Sequence, residues 1–180
     1  MQGDLDRRKL IEEKIAGVEA RAATSLTLIR QSVREFLVNS KGYSQETIET
    51  DRKFEVTVDG RTTEVSVDYI LRSGDTRFAV IKCSPGALES RDRHIISFAR
   101  VVDSYQIPFA VVTDGSKARI LDTVSGRLLA EGLAYIPSGS EADRIIGSTK
   151  PIPYPTEKME REKRILLAFD GIKCTEESCE

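Results

Sequence analysis

The run KFEVTVDGRTTEVSVDYIL, residues 53–71, constrains the fold more than any other part of the chain. Two β-branched, alternating segments flank Asp59-Gly60. Asp-Gly between such segments supplies the two positive-φ residues that a tight hairpin turn needs. The chain must therefore contain an antiparallel pair here, and on strict alternation Val65, Val67 and Tyr69 share one face while Glu64, Ser66 and Asp68 share the other. A second turn, Arg72-Ser73-Gly74-Asp75, leads into a third strand, TRFAVIKC. Phe78, Val80, Lys82 and Ser84 then alternate onto one face. Pairing through that turn would bring Asp68 close to Lys82 and Ser84.

Helical spacing frames this meander. Residues 4–39 hold no proline, and Leu10, Ile11, Ile15, Val18, Ala22, Leu26, Ile29, Val33, Phe36 and Leu37 recur near helical spacing. The pattern predicts one long helix, or two that break near Ala23-Thr24-Ser25, ending at Asn39-Ser40-Lys41-Gly42. YSQETIET reads as a helical turn or loop. After Ser84-Pro85-Gly86 the period becomes helical again over Ala87–Ser104. IPFAVVTDG then reads as a buried strand, and KARILDTVSGRLLAE as a hairpin around Ser125-Gly126. Pro151, Pro153 and Pro155 mark a linker, and TEKMEREKRILLAFDGI a last helix.

The expected fold is α/β, a mixed sheet in the order helix, three strands, helix, strand. A helical extension (1–29) precedes a core (30–135) that includes the added hairpin. A linker (136–155) and a C-terminal helix with an acidic tail (156–180) follow. The helix between the third and fourth strands permits a parallel crossover. At 180 residues the chain suits one domain with extra helices.

With 27 basic and 29 acidic residues the net charge is −2, so nucleic-acid binding would have to rest on a local patch. No leader-like or membrane-spanning apolar run occurs, and a reducing cytoplasmic setting is expected for three cysteines. Cys174 and Cys179 lie in CTEESCE without a second pair or a nearby histidine. A solvated tail is the simpler reading than half a metal site or a redox pair.

VDYIL, FAVIKCSPG, RDRHIISFARVVDSYQIP and FAVVTDGSKARILDTVSGRLL, across roughly residues 30–132, resemble the N-terminal domain of the type I restriction enzyme R protein. That domain falls within the PD-(D/E)XK nuclease superfamily. The resemblance implies a restriction-endonuclease-like αβββαβ core. It also implies a site in which an aspartate and a glutamate hold Mg2+ while a lysine two residues after the glutamate assists. Asp68 falls on the aspartate, Lys82 where the glutamate belongs and Ser84 where the lysine belongs. His94 and Phe98 occupy the spacing of a Gln and a Tyr that related families carry on the following helix.

Replacing a carboxylate with an ammonium reverses the local charge and suits a divalent ion poorly. The plain alternative for Asp68 and Lys82 is a strand-end ion pair without function. If a metal is held at Asp68, Glu35 or Glu64 could supply a second ligand, and Glu89 is a further candidate, although each reads more simply as a solvated charge. Lys82, Arg91, Arg93, His94 and Arg100 could form a basic patch for phosphates, against the plainer reading of a solvated helix face.

No G-x-x-x-x-G-K-[ST] loop occurs, so an ATP-driven motor is absent from this sequence and a stand-alone domain is expected. The first expectation is a catalytically degenerate nuclease-like domain that binds nucleic acid or a partner protein, without a cofactor. The second is an active Mg2+-dependent endonuclease with a rearranged site. The third is an oligomerisation module using the N- and C-terminal helices. Expected partners are therefore DNA, another protein or further copies of the chain, and no membrane.

Overall fold

The computed structural model describes residues 2–170, which places Cys174 and Cys179 outside the described residues. A single uninterrupted helix, α1 (Gln2–Asn39), opens the chain, with no break near Ala23-Thr24-Ser25. Strands β1 (Ile48–Val58), β2 (Arg61–Ser73) and β3 (Thr76–Cys83) follow, then α2 (Asp92–Val101) and β4 (Phe109–Thr113). Strands β5 (Ala118–Asp122) and β6 (Leu128–Glu131) and helices α3 (Gly139–Ser148) and α4 (Thr156–Asp170) complete it. The six strands lie in one mixed sheet in chain order, antiparallel except for β3 and β4. That one parallel pair is joined across α2, as the helical spacing requires. No helix among the described residues is long and apolar enough to cross a membrane.

The first hairpin turns at Asp59 and Gly60, with φ of 50° and 76°, the left-handed pair its residues favour. Strand β1 begins at Ile48, earlier than Lys53, because the long β2 offers pairing partners back to Leu71. Strand pairing here overrides the weak local preference of ETDRK. Gln45–Thr47 is a single 3-10 turn before that strand. The helix expected over 87–104 divides into a 3-10 turn at Leu88–Arg91 and the shorter α2. The stretch 136–155, expected as a linker, contains α3. Ser138 and Glu141 form a reciprocal capping box at its start, a motif that satisfies otherwise orphaned backbone N–H groups.

Two cores flank the sheet. The end of α1 and α3 enclose Val33, Leu37, Tyr69, Leu71, Ile81 and Val111, while α2 and α4 enclose Val65, Val67, Ile70, Val80, Phe98 and Leu166. Strict alternation would put Val65, Val67 and Tyr69 on one face, yet Tyr69 packs in the opposite core. The change of face falls at Asp68. Across from it in β1, between Thr50↔Tyr69 and Arg52↔Val67, Asp51 adopts φ 50°. A non-glycine residue in that region kinks its strand, and the kink carries the distal hairpin over to the α2/α4 side.

Candidate functional site

The pairing of β2 with β3 ends at Tyr69↔Ile81. One step further Asp68 would face Lys82, but the strands part there and the Cys83 N–H loses its place in a ladder. Asp68 takes over as acceptor, its Oδ2 lying 2.7 Å from the Cys83 nitrogen. A buried N–H demands such a partner, and this one is supplied by a carboxylate only 1% exposed.

Helix α1 closes the fork from above. Arg30 donates from Nε to Asp68 Oδ1 at 2.5 Å, and its Nη2 lies against the same oxygen. Its Nη1 reaches Asp51 at 3.5 Å, so one guanidinium bridges the two aspartates that face each other across the kink. The Tyr69 hydroxyl donates to the Arg30 carbonyl at 2.8 Å, which ties that turn of α1 to β2. Lys82 Nζ sits 3.9 Å from Asp68 Oδ2 and 3.4 Å from the Ser66 carbonyl.

The electrostatics are those of a filled carboxylate site. Burial opposes the Arg30 charge, yet the charge and hydrogen bond of Asp68 outweigh it and raise its pKa. Burial, and after it the Asp68 charge, pushes the Cys83 thiol up to about 12, so this cysteine is no nucleophile near neutral pH. Burial also lifts the Tyr69 phenol to about 12, with Cys83 and Asp68 adding to the effect.

A divalent ion fits this arrangement poorly. Asp68 already accepts from a guanidinium and a backbone N–H, and Lys82 stands beside it. A doubly charged ion about 4 Å from that ammonium would meet a repulsion on the order of 8 kcal/mol at an effective dielectric of ~20. The other carboxylates expected as ligands are engaged elsewhere. Glu64 pairs with Lys53 at 2.7 Å, Glu35 accepts from Gln31 at 3.0 Å on the exposed side of α1, and Glu89 lies 3.5 Å from Arg119. Among the described residues no three His, Cys, Asp or Glu side chains group in a way that could hold a metal. Ser84 is buried; its N–H donates to the Thr113 carbonyl at 2.9 Å, and its Oγ accepts from Gly86 N–H at 3.4 Å.

The α2 residues considered for a basic patch are tied to α4. Arg100 turns under it to the buried Glu162 at 3.3 Å, while Arg93 reaches the same carboxylate at 2.7 Å with its side chain 38% exposed. His94 is buried, its Nε2 lies 3.0 Å from Asp170 and its ring lies tilted against Phe169, while its Nδ1 has no partner among the described residues. Arg91 lies over the Phe169 ring at 5.9 Å. Phe98 is core, edge-on to Phe54. Only Lys82 of that set belongs to the fork.

Sequence reasoning passed over Arg30 and Asp51. Arg30 lies three residues before the buried Val33, on the border of the helix stripe that meets the sheet, which was a usable signal. Asp51 carried none, because its role comes from the kink.

If Asp68 is chiefly the acceptor that seals the fork, Asp68→Ala should cost about 2 kcal/mol through the orphaned Cys83 N–H. Asp68→Asn retains an acceptor oxygen and should recover roughly half of that. Urea midpoints for the two variants check the ranking.

Comparison with known families gives one match. The model described as Type I restriction enzyme R protein N terminus (HSDR_N) covers residues 27–137, from the turn of α1 that carries Arg30 to the residue before the α3 cap. Neither the curated proteins nor the solved structures yield a match.

Proposed function

Since the chain belongs to the family of type I restriction enzyme R protein N termini, we propose that it is a nuclease-derived domain that has given up metal-dependent cleavage and is kept for binding the nucleic-acid backbone. The observation that carries this reading is the occupation of Asp68 by Arg30, Lys82 and the Cys83 N–H. In a PD-(D/E)XK nuclease the corresponding carboxylate pair would hold the ion that activates water. Here Arg30 and Lys82 stand against Asp68, the carboxylate left of that pair, and take the place of the ion.

What the fork offers instead is partly exposed positive charge. The Arg30 side chain is 37% exposed and that of Lys82 22%, and Arg34, one turn along α1, acts on the Tyr69 phenol by charge. Cations that reach water while anchored at one side suit phosphate contacts, which position a strand without reading its bases. This set joins the partly exposed Arg93 of α2 among the backbone-binding candidates.

Fluorescence anisotropy with duplex DNA, run across a salt series, tests the proposal. Binding should weaken steeply with salt, and Arg34→Glu with Lys82→Glu should reduce affinity by at least about tenfold. Incubation with Mg2+ or Mn2+ should leave the DNA intact. Metal-dependent cleavage that disappears in Asp68→Ala would overturn the reading. Absence of binding even at low salt would redirect it to a protein partner.

A further inference from the structure

The N-terminal part of α1 forms a helical arm without a partner among the described residues. From Ile11 to Ser25 every residue is exposed except the half-buried Gly17. Three large apolar side chains stand in water there: Ile11 at 47%, Ile15 at 53% and Val18 at 64%. Helices draw most of their stability from packing an apolar face, and a mid-helix glycine weakens an isolated one further.

The exposed residues repeat in heptads. Ile11, Val18 and Ser25 take the d positions, and Ile15, Ala22 and Ile29 the a positions, an alternating 4,3 spacing. Gly17 falls at c, away from that seam. Beyond Ser25 the seam ends, because Ile29 turns onto its own domain against Gly115, whose ideal Cβ would lie 3.6 Å from it. The C-terminal helix offers no comparable face: α4 lies on α2, with Leu166 and Glu162 buried.

The flanking charges select the orientation. Glu12 and Glu19 occupy e, and Lys14 and Arg21 occupy g. In a parallel pair each g residue meets the e residue of the next heptad on the other helix, so Lys14 faces Glu19 of the other copy twice over. In an antiparallel pair g faces g and e faces e. Lys14 would then meet Arg21, and glutamates would meet glutamates.

We propose that residues 11–25 of α1 are a self-association arm that joins copies of this chain in a short parallel coiled coil. The helices part after Ser25, where each docks on its own sheet. β-branched residues at both a and d extend the choice of strand number beyond two, and the measured mass, dimer or trimer, reports that number.

Sedimentation of the full chain over a wide concentration range provides the test. Concentration-dependent association is expected, and Ile15→Asp/Val18→Asp, both at exposed sites, should leave a monomer with an unchanged melting curve. Lys14→Glu alone and Glu19→Lys alone should each weaken association by about fivefold, and an equimolar mixture of the two should recover it. The proposal is overturned by a monomer at every concentration, by association that survives the double aspartate change, or by a Lys14→Glu variant that associates more tightly. The last result would reveal an antiparallel pair facing Arg21.

Discussion

Glu162→Ala is expected to lower stability by about 3–5 kcal/mol, the range for breaking a buried ion pair from one side. Glu162 is the pin that holds α4 to α2. It is 1% exposed, and its Oε1 accepts from Arg93 at 2.7 Å, Arg100 at 3.3 Å and the Tyr154 hydroxyl at 2.8 Å, while its Oε2 accepts from Ser97 at 2.7 Å. Arg100 is itself largely enclosed and would keep only the Thr123 and Val124 carbonyls. Burial alone would raise the Glu162 pKa, but the hydrogen bonds from Ser97, Arg93 and Tyr154, with the Arg93 charge, hold it below the ordinary 4.5. A carboxylate depressed in the folded state contributes stability that is present above its unfolded pKa and is lost as pH falls through the lower folded value. Glu162→Gln should therefore flatten the acid limb of the stability curve as well as lower the melting midpoint. The exposed Glu160, paired with Lys163 at 2.9 Å, is the control: its alanine variant should stay within about 0.5 kcal/mol of the parent.

The same cluster shows why part of the site was legible in the sequence and part was not. Asp59-Gly60 specified a local turn, and a local turn depends on its own residues. Asp68 and Lys82 followed, because hairpin pairing and a period of two bring them to the same step of neighbouring strands. What covers α2 was not legible, for a different reason. A period of 3.6 says which residues share a side, but nothing in RDRHIISFAR says that Glu162, more than sixty positions later, covers it. Asp51 was hidden likewise, since its kink answers to the fork and not to its neighbours in sequence. Helix α3 was legible: the Ser138–Glu141 capping box is a local signal, and the three prolines beyond it drew the whole stretch toward a linker.

Restoring the missing acid provides the sharpest test of what the fork has become. In an Arg30→Ala/Lys82→Glu variant, Asp68 Oδ1 loses its guanidinium and the ammonium beside Oδ2 becomes a second carboxylate. Hard oxygen ligands then face each other at the end of β2 and β3, the donor set Mg2+ and Mn2+ take. The change from ammonium to carboxylate shifts the local charge by two units, and Mn2+ should bind at least about tenfold more tightly than to the parent. Calorimetry reads the affinity, and a Mn2+-dependent rise in melting temperature shows that the folded state is what binds. Adding Ser84→Lys completes the family pattern, and nicking of supercoiled plasmid in Mg2+ is the expected gain. Asp68→Ala in that background must abolish both. Arg30→Ala alone separates the competing readings. It frees Asp51 and Asp68 together but leaves Lys82 in place, so the degenerate-domain reading requires that it bind no Mn2+. If it does bind Mn2+ and cut, the two aspartates form a rearranged metal site that Arg30 guards, and the domain is a nuclease held shut by its own helix.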